Sequence, residues 1–286
     1  MPRVLIAGCG YLGQAVADLF VADDWEVEGW TISAESTEKL STKPYPVYAV
    51  DISKTDQVRA RKGDFHAVIH CASTGGGDAD SYRRVYFDGA RNLLERFEGS
   101  QILFTSSTSV YGQKNGEWVT EESPAEPKHE TGTILRKAED LVLANRGVIG
   151  RLGGIYGPSR SALLRKFLKG DAILDPESER FANQIHRDDA AAAIRLLVKR
   201  QESVGEIYNV VDDQPILRGE CYRWLATKLN RPLPAAGRSA SKRKRGESNK
   251  RVSNAKLRAM AWTPRYPNFA NGMEKSVLLT LDHENA

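Results

Sequence analysis

Two clusters of residues near the N-terminus have the types and spacing that binding chemistry needs. Gly8-Cys9-Gly10-Tyr11-Leu12-Gly13 is a GxGxxG hexapeptide that follows the apolar run "RVLIA" and opens a stretch of helical periodicity. In a strand–turn–helix setting Gly8 permits a tight turn, Gly10 lets a pyrophosphate approach the backbone, and Gly13 packs helix against sheet. The free N–H groups at the helix start, around Tyr11 and Leu12, face negative charge. The alternative is a merely structural glycine turn. The second run, "EVEGWTIS", ends in Thr31, Ile32 and Ser33. A carboxylate at Thr31 would hold a free ribose 2′-hydroxyl and repel a 2′-phosphate, whereas the hydroxyls of Thr31 and Ser33 can donate to that phosphate. The reading favours NADP and leaves NAD open. Glu28 and Glu35 read as strand packing and helix surface.

Other chemically capable residues read as structure. His186 stands before Asp188 and Asp189, which invites a catalytic dyad, but carboxylates at a helix start are ordinary capping. Cys9, Cys71 and Cys221 are far apart and form no CxxC pair, so neither a disulfide framework nor a metal site is expected.

These residues need elements to hold them. Strands are expected at 4–7, 26–31, 47–50, 67–70, 101–105 and 148–152, with helices at 12–20, 81–97 and 131–145. That alternation marks βαβ units and a parallel sheet. Runs such as "AVIH" and "QILFT" are apolar without alternation, as strands covered on both faces are. Beyond Pro158, "SALLRKFLKG", "IHRDDAAAAIRLLVKR" and "ECYRWLATKLN" read as helices, "EIYNVV" as a strand, and 232–250 as a polar basic loop. Hydrophobic residues at 41% and charged residues at 27% suit a globular core. A net charge of +4, concentrated in one segment, does not make a nucleic-acid binder. No apolar run reaches the ~18 residues of a membrane span and the first strand leaves no room for a leader, so a cytoplasmic protein is expected.

Several further segments resemble the extended short-chain dehydrogenase/reductase family (the NAD-dependent epimerases/dehydratases), in that family's order. "VDIS" resembles the loop that touches adenine, which implies Asp51 and Ile52. "VIHCAS" resembles the strand that passes along the cofactor, which implies Cys71, Ala72 and Ser73. "FTSSTSVYG" resembles the fifth-strand motif, with Ser106 beside the cofactor and Ser107 at the catalytic Ser/Thr position. "RLGGIYGP" resembles the segment at the carboxamide, which implies Leu152, Gly153 and Gly154. The wording "GCGYLG" and "TSSTSVYG" is most similar to the YeeZ-like group of atypical members. The resemblance spans about residues 3–230.

The family's chemistry pairs that Ser or Thr with a Tyr whose proton is made available by a Lys four residues on, one helical turn away. This sequence departs from the pattern. The helix reads "ETGTILRKAEDLV"; matching Gly132 and Glu139 to the family's marks puts Thr131 at the Tyr position and Leu135 at the Lys position. Lys137 lies ~200° round the helix from Leu135 and cannot replace that lysine in register. The family's Asn in the preceding helix is matched by Tyr86. His129, Tyr82, Tyr86 and Tyr156 are the groups that could replace the acid. Their ordinary readings are exposed loop for His129, helix surface or packing for Tyr82 and Tyr86, and strand-end wall for Tyr156.

The basic run at 237–251 reads equally as a solvated loop and as a grip on a phosphorylated or nucleotide-linked small molecule. The resemblance of the segment after it makes Lys250 and Arg251 the better candidates for substrate contact. No aromatic residue is interleaved to stack on bases. The expected architecture is a doubly wound Rossmann domain at 1–155 and 182–215, with a smaller substrate-binding domain at 156–181 and 216–286. The function it implies is an NAD(P)-dependent oxidoreductase or epimerase of atypical mechanism, with a non-catalytic dinucleotide sensor as the competing reading. A homodimer through the helix carrying Thr131 is also implied.

Overall fold

The structure, a computed structural model, describes residues 1–237 and 248–281. Seven parallel strands form the central sheet: β1 (Arg3–Ala7), β2 (Glu26–Thr31), β3 (Val47–Ala49), β4 (Ala67–His70), β5 (Gln101–Ser107), β6 (Val148–Leu152) and β7 (Ile207–Val210). Their order across the sheet is β7-β6-β5-β4-β1-β2-β3. The doubly wound α/β class expected from the alternating pattern is the class observed. The order reverses between β1 and β4, where the chain leaves β1 in one direction and later returns on its other side. A crevice opens at such a switch point.

Four longer helices cover the sheet and a fifth packs beside it. These are α1 (Tyr11–Ala22), a rod α2 at 79–96, α3 (Glu130–Ala144), α4 (Arg187–Lys199) and α5 (Arg218–Lys228). Leu12, Val16, Ala17 and Phe20 recur on one face of α1 and pack with Ala190, Ala193, Ile194 and Leu197 of α4. On the opposite face Leu93 and Phe97 meet Ile134, Leu135, Ala138 and Val142 of α3. With both faces covered, β6 and β4 are buried at every residue, which is why their sequences do not alternate. A third apolar cluster joins Tyr156, Phe167, Tyr222, Leu225, Phe269 and Met273 around α5. Among the described residues no helix is long and apolar enough to cross a membrane.

Three local features depart from the sequence expectation. The rod α2 is not one regular helix, because Arg83–Asp88 forms a π turn between α-helical pieces at Ala79–Tyr82 and Gly89–Arg96. The stretch at 232–250 is not all loop. Ala235–Ala236 pairs with Ile173–Leu174, and the strand Lys250–Val252 pairs in parallel with Glu117–Val119. The basic residues Arg238, Lys242, Arg243, Lys244 and Arg245 lie outside the described residues. Finally, the C-terminal part is not confined to the third cluster, since Val252 enters the α2/α3 core and Leu257 and Trp262 the α1/α4 core.

Two histidines are sealed into this framework. His186 caps α4, its Nδ1 accepting the Asp188 amide at 3.2 Å, while Nε2 lies 3.0 Å from the Ser276 hydroxyl. The Asp189 carboxylate accepts the Arg265 and Tyr266 amides at 2.7 and 2.9 Å, tying the C-terminal segment to α4. The segment is a structural junction, as its capping pattern predicts. Burial pushes His186 and His70 down to about 4. A base with a folded pKa below its unfolded value near ~6.5 withholds a proton that the unfolded chain binds. Each ring therefore removes stability as pH falls from about 6.5 towards 4, about 2 kcal/mol at pH 5. NMR titration should show the His70 and His186 imidazoles still neutral at pH 5. Midpoints near 6.5 for both would refute the assignment.

Candidate cofactor cleft

The crevice at the switch point is a cleft of about 540 Å³. It runs from the end of β2, past the glycine loop and the end of β4, to the ends of β5 and β6. Of the residues expected to meet a cofactor, all but Gly13 and Ser33 line it.

The glycine loop is built as its spacing requires. Gly8 has φ +107°, and a Cβ there would come within 2.1 Å of the Ala72 amide nitrogen. The close contact between the end of β1 and the loop after β4 thus depends on a missing side chain. A Cβ on Gly13 would lie 2.2 Å from the Gly8 carbonyl oxygen, so Gly13 lets the first turn of α1 settle on the loop. Gly10 differs from both, because a Cβ there would meet nothing within 4 Å. The space it leaves is the cleft itself. Gly8 and Cys9 donate their amides to the Trp30 carbonyl, and Gly10 donates to Gly8. The amides of Tyr11, Leu12 and Gly13 open α1, where a helix has no preceding carbonyl to bond. They form the positive end of a 12-residue helix pointing into the cleft.

At the end of β2 the hydroxyls are not arranged as the sequence suggests. Thr31 Oγ1 lies 2.9 Å from Thr37 Oγ1 and donates weakly to the Ser33 carbonyl at 3.3 Å. The Ser33 hydroxyl caps a short helix by accepting the Ser36 amide at 3.2 Å, and donates to Ser36 Oγ at 3.0 Å. Its cap role takes Ser33 off the cleft wall. Ser36 and Lys39 line the cleft in its place, and Ile32, 70% exposed, forms an apolar lip. Among the described residues Lys39 pairs only with exposed Glu35, at 2.6 Å, so a stronger anion could take its ammonium. Glu28 is consumed by packing, accepting from the Trp30 indole at 2.7 Å. Next to this lip Asp51 is folded back on the Ser53 amide and hydroxyl, at 2.9 and 2.7 Å, and the Ile52 carbonyl accepts from Asn92.

The opposite end is supported by a buried polar network. Ser106 donates to Glu139 at 2.5 Å, and Glu139 also receives Arg151 through both Nε and Nη2, at 3.1 and 2.7 Å. Arg151 donates onward to the Tyr111 hydroxyl at 2.8 Å, which donates to Asn209 at 2.9 Å. Glu139 is fully buried and Arg151 nearly so. Glu139 thereby fixes α3 against β5 and β6. Breaking one partner of a buried pair leaves the other charge uncompensated, so Glu139→Ala should lose about 3–5 kcal/mol of unfolding free energy. Urea denaturation checks this. A change under about 1 kcal/mol would show that the network does not anchor α3.

Ser107 is only half-buried. Its oxygen accepts the Ser109 amide at 3.1 Å, leaving its one proton to donate into the cleft it lines. The other expected catalytic positions lie elsewhere. Thr131 lies in the first turn of α3 and is not among the cleft walls, and Leu135 is buried in the α2/α3 core. Tyr156 is sealed, its hydroxyl donating to the Asn268 carbonyl at 3.3 Å and burial pushing its pKa up. Lys250 donates to the Tyr111 carbonyl at 2.9 Å, and burial pushes it down to about 8. Arg251 donates to the Gly116 carbonyl and stacks on Trp118 and Phe181. Neither Lys250 nor Arg251 lines the cleft, because strand pairing to residues 117–119 uses both.

Of the four groups that could replace the acid, Tyr86 lines the cleft, while sequence reasoning missed Ser36, Lys39, Arg160 and the Gly75–Gly76 stretch as cleft residues. The run "TGGGD", with positive φ at Gly75, Gly76 and Gly77, was a readable signal for a close backbone approach. Arg160 was not readable, since it reaches the cleft mouth from a tight turn closed by the Gly157–Arg160 bridge. Its guanidinium lies 4.9 Å from the Tyr11 ring centre, with Arg187 at 5.0 Å.

The comparisons with known proteins agree with this geometry. The chain is 28% identical over 245 residues to Protein YeeZ of Escherichia coli (strain K12), covering 82% of this chain and 86% of that one. A Methylobacillus flagellatus structure described as an NAD-dependent epimerase/dehydratase superposes with TM-score 0.80 at 30% identity, covering 98% and 99% of the two chains. The Thermus thermophilus UDP-glucose 4-epimerase, solved with NAD, gives TM-score 0.84 at 22% identity, covering 100% and 99%; it shares the fold. The NAD dependent epimerase/dehydratase family matches residues 4–210. With that match over most of the chain, and a glycine-built cleft at the switch point, the protein belongs to the NAD dependent epimerase/dehydratase family, among the extended short-chain dehydrogenase/reductase proteins.

Proposed function

We propose that the chain holds a nicotinamide dinucleotide in this cleft and works as an oxidoreductase of atypical mechanism on a small molecule. The observation that carries the reading is the Gly10 space in front of the free amides of α1, a cradle that any side chain would fill. The cofactor, when bound, supplies or accepts a hydride. Tyr11, Leu12 and Gly13 amides take the pyrophosphate, the ends of β2 and β3 take the adenosine, and Ser106, Leu152, Gly153 and Gly154 wall the reacting end. Ser107 donates a hydrogen bond to the oxygen of the reacting group. Arg160 at the mouth suits a phosphorylated or nucleotide-linked substrate.

The reading includes a preference for NADP, resting on Ser36 and Lys39 rather than on Thr31 and Ser33. Lys39→Glu should weaken NADPH binding by on the order of 10- to 100-fold, as for loss of a charged hydrogen bond. NADH affinity should change less than about 3-fold. Calorimetric titration of both cofactors tests this, and equal affinities in the parent protein would remove the preference. A second reading, a dinucleotide sensor without turnover, is favoured by one observation: the Tyr and Lys positions of the family are an off-cleft Thr131 and a core Leu135. Tight cofactor binding with no turnover and a cofactor-dependent partner would establish it.

A further inference from the structure

We infer that Tyr86 is the proton donor of this site, moved from the helix that carries Thr131 to the neighbouring helix α2; the inference rests on the cofactor reading above. Few side chains at the β4–β5–β6 end of the cleft have a proton to give. Serine hydroxyls are too weakly acidic, and burial pushes the Cys71 thiol up. Tyr11 belongs to the phosphate loop at the start of α1. Tyr111 and Tyr156 are fully buried and neither lines the cleft. Tyr82 is buried, and exposed His129 precedes α3 outside the cleft. Tyr86 is half-buried and lines the cleft together with Ser106 and Ser107.

Its placement is built into the fold. The Tyr86 ring lies near parallel to the His70 ring, centres 6.4 Å apart, and edge-on to Phe104 at 6.3 Å. His70 ends β4, and Phe104 stands shortly before Ser106 on β5. The ring therefore sits over the two strand ends that form this part of the cleft. Tyr86 also falls inside the π turn at Arg83–Asp88. A π turn inserts one residue into the helical register and recurs at functional sites. Here it is pinned from below, with His70 Nε2 at 3.0 Å from the Val85 carbonyl. A carbonyl can only accept, so Nε2 carries the hydrogen and fixes the carbonyl next to Tyr86. His70 is a positioning residue, and Tyr86 is the group that meets the reacting atoms.

The step balances. In reduction, the substrate carbonyl carbon takes hydride from the reduced nicotinamide, and the carbonyl π pair moves to oxygen. That oxygen takes the Tyr86 phenolic proton while Ser107 donates a hydrogen bond to it. Alcohol and oxidised cofactor leave, and water returns a proton to the phenolate. Oxidation of an alcohol runs the same path in reverse.

Two measurements on the full chain test this assignment. In a crystal grown with NADP⁺, Tyr86 Oη and Ser107 Oγ should share one oxygen position facing the nicotinamide ring. A Tyr86 hydroxyl turned away, or Thr131 in that place, overturns the inference while leaving the cofactor reading intact. Absence of any bound cofactor overturns both. In parallel, a panel of aldehydes, ketones and nucleotide sugars is tested with NADPH. For a compound that is reduced, Tyr86→Phe should lower kcat by about 10²- to 10⁴-fold, with the NADPH Kd held within about 2-fold. Undiminished kcat in folded Tyr86→Phe overturns the assignment. If no compound is reduced, the position of the Tyr86 hydroxyl in the crystal alone decides.

Discussion

Gly10→Val should give a folded protein that no longer takes up NADPH or NADH. The expectation follows from a contrast among the three loop glycines. Substitution at Gly8 or Gly13 would drive a Cβ to within 2.1 or 2.2 Å of backbone atoms and would damage the fold itself. At Gly10 no atom lies within 4 Å of the new Cβ, so the isopropyl group has room in the free protein. The room it takes is the approach to the α1 amides. Affinity should fall by on the order of 100-fold or more, about 2.7 kcal/mol, for both cofactors alike. Far-UV circular dichroism and a melting temperature within a few degrees of the parent would establish the fold, and fluorescence titration the affinity. Unchanged affinity in a folded variant would remove the basis of the cofactor assignment.

The second large effect is expected at Ser107. Where turnover is found, Ser107→Ala should reduce kcat by roughly 10²- to 10³-fold, the cost of losing one donor aimed at a developing oxyanion. Thr131→Val should change it less than about 3-fold, because Thr131 is off the cleft wall and an aliphatic hydroxyl is no acid at neutral pH. Steady-state kinetics of the two variants side by side separate the alternatives. Collapse of turnover in Thr131→Val would show that α3, not the end of β5, carries the chemistry.

How much of this could be read from sequence depended on how locally each feature is determined. The sheet was legible because apolar runs without alternation have few other uses, and the start of α4 was legible because Asp188 and Asp189 act within its first turn. The cleft's backbone walls followed from short contiguous motifs at strand ends. Side-chain partners were harder. Thr31 and Ser33 are consumed by Thr37 and Ser36, so the hydroxyls that look available in sequence are spent on a short turn. That same turn delivers Lys39 to the cleft. Lys250 and Arg251 are drawn away by pairing with residues 117–119, more than a hundred positions earlier. The Glu139–Arg151–Tyr111–Asn209 network joins three elements and the loop after β5, which only the assembled sheet brings together. The π turn holding Tyr86 adds one residue to one turn, a shift that periodicity over a short helix does not resolve.

Backbone hydrogen–deuterium exchange of the native protein, with and without saturating NADPH, tests the central claim most directly. The account predicts that the cofactor slows exchange at the amides of residues 10–13, 71–73 and 152–154, which face one another across the cleft. The strand Lys250–Val252 and the cluster around α5 should exchange as before. Protection centred on that strand or on α5, or no protection anywhere at saturating NADPH, would contradict it.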